Sequence, residues 1–231
     1  MRDILRDGLS KLGLDEARSA DLEAFARLVL ERNRVMNLTA ITDETEFARL
    51  HLLDSAALLK LVKLDGKSVI DVGTGAGFPG VPLRILCPLA RMTLLDATAK
   101  RVDFLREACQ TLGLDGVECV HARAEELAAQ RRESFDYATS RAVAALPVLC
   151  ELCLPFVRVG GSMLAMKSTQ SDEELDAAQH AIALLGGRVA RVEDYTVPTS
   201  EVTHRLIVID KVKPTPPKYP RTFGQIKKKP L

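Results

Sequence analysis

The spacing of apolar residues along the chain changes near residue 62. Before that point, Leu22, Phe25 and Val29 recur at intervals of three and four, the spacing of an amphipathic helix. Beyond it lie seven short apolar runs typical of strands, at residues 67–72, 91–95, 117–121, 135–139, 161–167, 188–197 and 203–209. The pattern predicts a helical extension over residues 1–62, a sheet-containing domain over residues 63–210 and a tail over residues 211–231.

Helical segments separate most of the predicted strands. Helices are expected, among other places, over residues 47–62, 98–112 and 171–185. Asp43 with Glu46, and Ser171 with Glu174, have the spacing of a capping box at the start of the first and the third of these helices. Strands that alternate with helices predict a doubly wound, mostly parallel α/β sheet. The last two runs have no helix between them, so we expect them to form an antiparallel pair at one edge.

A glycine-rich segment, Asp-Val-Gly-Thr-Gly-Ala-Gly-Phe-Pro-Gly at residues 71–80, follows the first predicted strand and opens a helix. Ligands of open α/β sheets bind at the carboxyl ends of the strands, where this loop lies. Its last three glycines match the dinucleotide fingerprint, but Pro79 removes one of the backbone N–H donors that a pyrophosphate needs. Read from Asp71, the loop is similar to the first motif of the methyltransferases that use S-adenosylmethionine.

Two carboxylates suit S-adenosylmethionine. The cofactor has no phosphate, and its methionine ammonium favours a nearby carboxylate such as Asp71. Asp96 ends the second predicted strand, where its carboxylate can accept hydrogen bonds from both ribose hydroxyls. The structural alternatives are a capping role for Asp96 and a glycine turn that binds no ligand.

Further candidates follow the third and fourth predicted strands. Ala124 and Glu125 lie where the backbone could meet an adenine edge, although an exposed acidic helix start is an equal alternative. Arg141 could hold a phosphate or the cofactor carboxylate with its two-pronged guanidinium, or be a surface arginine at a helix start. His51 could face the site or be a buried structural histidine.

Charge is distributed unevenly along the chain. The tail holds seven basic residues and no acidic one, whereas the rest of the chain holds 25 basic and 31 acidic residues. This asymmetry suggests a polyanionic partner. With only seven Phe, three Tyr and no Trp, a base-stacking RNA-binding sheet is not expected. Five prolines in the tail predict an extended conformation.

Composition places the chain among soluble globular proteins, with 47% apolar and 27% charged residues. Five cysteines, an odd number, fit free thiols in a reducing compartment. The N-terminus has no apolar secretory segment, and the most apolar stretch, residues 142–157, is shorter than the roughly 20 residues that span a bilayer. We therefore expect a cytoplasmic monomer that does not bind membranes.

Motifs spread over nearly the whole chain resemble those of one family. They are Asn37-Leu38-Thr39, His51-Leu52-Leu53-Asp54-Ser55, residues 71–80, Leu95-Asp96 with Lys100-Arg101, Arg123-Ala124-Glu125-Glu126, Ser140-Arg141-Ala142 and Lys167. In this order they are similar to the small-subunit ribosomal RNA guanine-N7 methyltransferase G family, also called glucose-inhibited division protein B. Ala97 stands where many members have serine, which leaves Asp96 as the expected ribose ligand.

The resemblance implies a class I S-adenosylmethionine-dependent methyltransferase fold, which is Rossmann-like. It implies transfer of the cofactor's methyl group to N7 of a guanine in the decoding-region loop of 16S rRNA, with free rRNA or the small ribosomal subunit as partner. The expected cofactor-binding residues are Asp71, Gly73, Gly75, Gly77, Phe78, Asp96, Ala124, Glu125 and Arg141. The expected RNA-binding residues are Arg34, Lys100, Arg101, Lys167, Lys218 and Arg221, and no metal site is expected.

A guanine N7 target agrees with the residues of the chain. N7 has an exposed lone pair at neutral pH, so its attack on a methyl group requires alignment more than removal of a proton. Arg141 is therefore expected to position the reactants, with His51 as a second candidate and no general base. Three rival functions remain open: a small-molecule methyltransferase, a dinucleotide-dependent oxidoreductase and a non-catalytic RNA-binding module.

Overall fold

A computed structural model describes residues 1–231 and is built on a seven-stranded sheet. In chain order the strands are β1 (Ser68–Val72), β2 (Arg91–Asp96), β3 (Val117–His121), β4 (Phe135–Arg141), β5 (Val157–Ser168), β6 (Gly187–Thr196) and β7 (Thr203–Lys211). Their spatial order is β3-β2-β1-β4-β5-β7-β6, and β7 runs antiparallel to both of its neighbours. Each apolar run forms one of these strands, which confirms the mostly parallel sheet with an antiparallel pair at its edge.

Ten α-helices surround the sheet. They are α1 (Arg2–Leu12), α2 (Ser19–Met36), α3 (Glu44–Phe47), α4 (Asp54–Leu61), α5 (Gly80–Leu86), α6 (Ala99–Thr111), α7 (Ala124–Gln130), α8 (Leu146–Cys153), α9 (Asp172–Leu184) and α10 (Phe223–Lys228). A π-helical turn, Ala48–Leu53, joins α3 to α4 within the single helix expected over residues 47–62. None of the helices is both long and apolar enough to cross a membrane.

The sheet has a hydrophobic core on each face. Val69 belongs to a cluster of 33 buried residues and its neighbour Ile70 to a cluster of 25, because successive residues of a strand point to opposite faces. Leu5 of α1 and Phe25 of α2 lie in the first cluster, and Cys150 of α8 lies in the second. The N-terminal helices therefore pack on the sheet and share one of its cores.

Of the two expected capping boxes, neither forms completely. Asp43 accepts a hydrogen bond from the backbone N–H of Glu46 at 2.9 Å, but the Glu46 side chain pairs with a neighbouring arginine instead of returning the bond. The second expectation was wrong. The hydroxyl of Ser171 is buried without a partner, and Glu174 accepts a hydrogen bond from the backbone N–H of Leu146 at 2.9 Å. This tertiary contact takes the place of the local cap.

The tail was expected to be extended, but it packs on the second core and ends in α10. Lys211 is fully buried, and its Nζ donates to two backbone carbonyls at 2.7 and 3.0 Å. Tyr219 is buried, and Arg132 donates to its carbonyl oxygen at 2.7 Å. The guanidinium of Arg221 pairs at 2.6 Å with Glu151, whose side chain is 0% exposed. These contacts fix the tail against the face of the sheet that carries the second core.

Candidate functional site

A cavity of about 490 Å³, the glycine-loop cavity, opens at the carboxyl ends of the first strands. It lies where β1 has β2 on one side and β4 on the other, the point at which the strand order reverses and ligands of such sheets bind. The predicted residues that line it are His51, Gly73, Gly75, Phe78, Asp96, Arg101, Ala124, Glu125 and Arg141. Sequence motifs far apart along the chain therefore meet around one cavity.

The loop itself requires glycine at two positions that border the cavity. Gly73 and Gly75 have φ angles of 71° and 61°, which side chains rarely adopt. A Cβ at Gly73 would also lie 2.6 Å from the side chain of Val143. Gly77, expected to bind the cofactor, does not line the cavity and packs against Phe25 and its neighbours. It serves the packing of the loop on the helices beneath.

Almost all backbone N–H groups of the loop are used within the protein. The N–H groups of Gly73 and Thr74 donate to the Leu95 carbonyl, and that of Gly75 donates to Asp96. The N–H groups of Gly77 and Phe78 donate to the Thr74 carbonyl. The N–H of Gly80 donates to Asp71. Pro79 has no N–H, so Ala76 alone retains a free one. A dinucleotide pyrophosphate requires several free N–H groups at this place. The loop therefore fits a ligand without phosphates better than a dinucleotide.

Asp71 lies beneath the loop and is fully buried. Its Oδ2 accepts hydrogen bonds from Thr74 Oγ1 at 2.7 Å and from the N–H of Gly80 at 2.8 Å, while its Oδ1 has no partner. Burial raises the pKa of the Asp71 carboxyl to about 6. The side chain does not line the cavity, so an interaction with a methionine ammonium there would run through water or through the field of its charge. Asp71 instead holds the loop in shape.

Asp96 ends β2 and borders the cavity with 5% of its surface exposed. Its Oδ2 accepts from the N–H of Gly75 at 3.0 Å, and its Oδ1 accepts from the N–H of Thr98 at 2.8 Å. The Nη1 of Arg101 lies 3.6 Å from Oδ2. Since each carboxylate oxygen can accept more than one hydrogen bond, these contacts orient Asp96 and leave it able to accept from ribose hydroxyls.

Arg141 is the last residue of β4 and not, as expected, a residue of the loop beyond it. Its Nη1 donates to Asp54 Oδ2 at 2.7 Å and to the Leu50 carbonyl at 3.0 Å, and its Nη2 donates to His51 Nδ1 at 3.0 Å. The guanidinium lies 5.3 Å from the centre of the Phe78 ring. Arg141 is thus held by the N-terminal helices at the edge of the cavity.

His51 is oriented by contacts on both ring nitrogens. Arg141 can only donate, so Nδ1 of His51 accepts, and Nε2–H donates to Thr39 Oγ1 at 2.7 Å. The ring stacks on Phe78 with 4.6 Å between centroids. Burial, and then the charge of Arg141, lower the pKa of His51 to about 3. The imidazole is therefore neutral, and its Nδ1 lone pair is occupied, which suits positioning and not proton transfer.

Asp54, at the start of α4, is the centre of a polar cluster that sequence reasoning missed. Its Oδ1 accepts from Tyr195 Oη at 2.9 Å and contacts His204 Nδ1 at 2.8 Å, while Oδ2 accepts from Arg141. Burial opposes ionisation, but the His204 hydrogen bond and the charge of Arg141 together lower the pKa of Asp54. The contacts span up to 150 positions of sequence, so no local pattern indicates them.

A second cavity of about 430 Å³, the Lys167 cavity, lies beside the first. The two share His51, Arg141 and Ala142, which form the wall between them. Lys167 of β5 and Glu174 of α9 line only the second cavity. The arrangement has room for two ligands that meet at Arg141.

The tail also reaches the glycine-loop cavity. Phe223, the first residue of α10, lines the cavity, and the guanidinium of Arg123 lies 5.5 Å from the centre of its ring. The sequence predicted an extended tail with the RNA-binding residues Lys218 and Arg221, and no contact of the tail with this cavity. The buried Glu151, a single carboxylate within the apolar stretch at residues 142–157, is the signal that could have indicated docking, because a buried charge needs a partner.

The predicted RNA-binding residues divide into two groups. Arg34, Lys100 and Lys218 are exposed. The others form ion pairs with carboxylates of the protein. Arg101 pairs with Asp96, Lys167 pairs with Glu174 with Nζ and Oε2 2.5 Å apart, and Arg221 pairs with Glu151. Only the first group is fully available for phosphate contacts in this conformation.

Comparison with known proteins agrees with the motifs. The family model described as rRNA small subunit methyltransferase G matches residues 18–203. The chain is 48% identical to ribosomal RNA small subunit methyltransferase G of Alkaliphilus metalliredigens, with 99% of this chain and 98% of the relative covered. It is 46% identical to the protein of the same description from Deinococcus radiodurans, with 100% of this chain and 92% of the relative covered.

Solved structures show the same fold at low sequence identity. TrmN from Thermus thermophilus superposes with a TM-score of 0.53 and 22% identity over 68% of this chain and 48% of that chain. TYW2 of M. jannaschii, solved in complex with AdoMet, has a TM-score of 0.56 and 11% identity over 69% of this chain and 75% of that chain. The expected class I methyltransferase fold is confirmed.

Proposed function

Since the chain belongs to the rRNA small subunit methyltransferase G family, we propose that it transfers the methyl group of S-adenosylmethionine to N7 of a guanine in the decoding-region loop of 16S rRNA. Its partner is 16S rRNA or the small ribosomal subunit, and it acts in the cytoplasm as a monomer. The observation that carries the proposal is the glycine-loop cavity: all backbone N–H groups of the loop except that of Ala76 are satisfied within the protein, and the Asp96 carboxylate lines the space.

The cofactor fits the residues around this cavity. Asp96 accepts hydrogen bonds from the ribose hydroxyls, as its exposed edge and its position at the end of β2 allow. Ala124 and Glu125 border the adenine, and Phe223 of α10 covers the same end of the cavity. Gly73 and Gly75 let the backbone approach the ligand without a Cβ in the way.

S-adenosylmethionine, when bound, supplies a methyl group activated by the adjacent sulfonium. The chain's own task is alignment, since guanine N7 attacks with a lone pair and loses no proton. Arg141 stands between the two cavities, and its Nε makes no hydrogen bond within the protein. It is free to donate to the cofactor carboxylate or to a phosphate of the RNA. The neutral His51 supports Arg141 and takes no proton.

RNA contact rests on exposed cations. With Lys211 buried and Arg221 paired, the tail still presents Lys213, Lys218 and the three consecutive lysines of residues 227–229 to solvent. Arg34 and Lys100 lie on other exposed surfaces. Together these residues supply the positive charge that binding of a phosphate backbone requires.

Two measurements separate this function from its rivals. Calorimetry with S-adenosylmethionine and with NAD(P)H identifies the cofactor, and we expect heat of binding only with the former. Transfer of a labelled methyl group is then followed with small-subunit rRNA and with a pool of small metabolites. Label in the metabolites alone would indicate a small-molecule methyltransferase, and binding of rRNA without any methyl transfer would indicate a non-catalytic RNA-binding module.

A further inference from the structure

The Lys167 cavity has the size and position of an acceptor site. Its volume of about 430 Å³ is within the range of small-ligand pockets, roughly 300–1,000 Å³. It lies at the ends of β4 and β5, and it adjoins the glycine-loop cavity at Arg141. A ligand in it would lie next to the glycine-loop cavity, with Arg141 between the two spaces.

One carboxylate oxygen in this cavity is available to a ligand. Two carboxylates line it, Asp54 and Glu174. Asp54 is 1% exposed at its side chain, and both of its oxygens are occupied by Arg141, Tyr195 and His204. The side chain of Glu174 is 38% exposed. Its Oε2 takes the contacts with Leu146 and Lys167, and its Oε1 has no partner in the protein.

We propose that Glu174 determines the specificity for guanine by accepting hydrogen bonds from its N1–H and 2-amino groups, while Lys167 donates to O6. The inference rests on the proposed function, because it names the base-reading groups of that same reaction. Lys167 Nζ donates to the Ala144 carbonyl at 2.9 Å and forms an ion pair with Glu174, and an ammonium has three hydrogens to donate.

The pattern of hydrogen-bond donors on guanine explains why Glu174 would select this base over adenine. On guanine, N1–H and the 2-amino group are neighbouring donors, and N7 lies on the opposite edge of the purine beside O6. When Glu174 binds the N1–H and 2-amino groups of guanine, N7 therefore points away from the carboxylate. Adenine has a lone pair at N1, which would face the acceptor-only carboxylate and be repelled. A site whose polar groups are left unpaired by the wrong base rejects it strongly.

Inosine tests this reading because it keeps N7, O6 and N1–H of guanine and lacks only the 2-amino group. We would prepare 16S rRNA from ligated fragments with guanine or inosine at the methylated position and measure single-turnover methylation. The wild type is expected to act on inosine about tenfold more slowly, the effect of losing one hydrogen bond to a charged group. Glu174→Ala should be slow on guanine and show nearly equal rates on the two RNAs.

Matched controls separate recognition from folding. Glu173→Ala removes an exposed carboxylate from the preceding position of α9 and should keep the wild-type ratio of rates. Glu174→Ala should keep the wild-type affinity for S-adenosylmethionine, since Glu174 does not line the glycine-loop cavity. Equal wild-type rates on guanine and inosine, or an unchanged ratio in Glu174→Ala, would overturn the inference. No methylation of the guanine RNA by the wild type would instead refute the proposed function, and the inference with it.

Discussion

Arg141 at the end of β4 and Asp54 at the start of α4 form an ion pair between the two cavities, with Nη1 and Oδ2 2.7 Å apart. Their side chains are 15% and 1% exposed. The pair joins the sheet to the N-terminal helices at the place where both proposed ligands would meet. The N-terminal helices are therefore part of the proposed site, because they hold the arginine that lines both cavities.

Replacing Asp54 with alanine should destabilise the protein strongly. The substitution leaves Arg141 without its counterion, and breaking a buried pair in this way costs about 3–5 kcal/mol. Arg158→Ala is the control, since Arg158 pairs with Asp136 but is 48% exposed and should contribute less than about 1 kcal/mol. Urea denaturation measures both free energies of unfolding. Equal losses of unfolding free energy in the two variants would show that the buried Arg141–Asp54 pair stabilises the protein no more than an exposed pair does.

His204 should make the stability of the Asp54 cluster depend on pH. The hydrogen bond to Asp54 raises the pKa of His204 above that of the unfolded chain, about 6.5. Its contribution is therefore fully present below about pH 6.5 and is lost as pH rises through the folded-state pKa. The advantage of the wild type over His204→Gln in free energy of unfolding should be larger at about pH 6 than at about pH 9. A gap that widens with pH would contradict this, and exposed His180→Gln serves as the control.

Gly75→Ala should separate cofactor binding from backbone strain. Gly75 and Gly13 have φ angles of 61° and 69°, so alanine at either position incurs a similar cost of about 1–2 kcal/mol. Only Gly75 borders the glycine-loop cavity, whereas Gly13 follows the last residue of α1. We expect calorimetry to show a Kd for S-adenosylmethionine raised about tenfold or more in Gly75→Ala, and unchanged in Gly13→Ala. Equal affinities in both variants would remove the loop from the cofactor site.

The tail should contribute to cofactor affinity through Phe223. Loss of an aromatic contact of about 1 kcal/mol corresponds to a roughly fivefold rise in Kd, which we expect for Phe223→Ala in calorimetry with S-adenosylmethionine. Lys227→Ala removes an exposed side chain from the same helix and should leave the affinity unchanged. If Phe223→Ala binds as tightly as the wild type, the tail closes no part of the site.

Local patterns were sufficient to predict the strands and the glycine loop. Apolar runs of five to ten residues located every strand, and Asp96 was identified because it ends such a run. The pattern did not show that Asp71 is buried beneath the loop. A carboxylate at the end of a strand fits a buried structural role as well as a ligand-binding role. The pattern also ended β4 at residue 139 and so placed Arg141 beyond the strand. In the structure β5 continues to Ser168, and its pairing with β4 extends as far as Arg141.

Contacts between distant segments could not be predicted in the same way. His204 lies 150 positions from Asp54, and Arg221 lies 70 positions from Glu151. A histidine or an arginine in isolation carries no signal for such a partner. The resemblance to a known family marked the segment of His51 and Asp54, but it did not reveal which groups these residues contact.

Mapping the methyl group tests the central claim most directly. Small subunits from a strain that lacks this protein would be incubated with the purified protein and S-adenosylmethionine, and the rRNA would then be cleaved chemically at N7-methylguanine and sequenced. The account predicts one new cleavage site, at a guanine in the decoding-region loop of 16S rRNA, that appears only when protein and cofactor are both present. A methyl group on another atom or another RNA, or none at all, would contradict it.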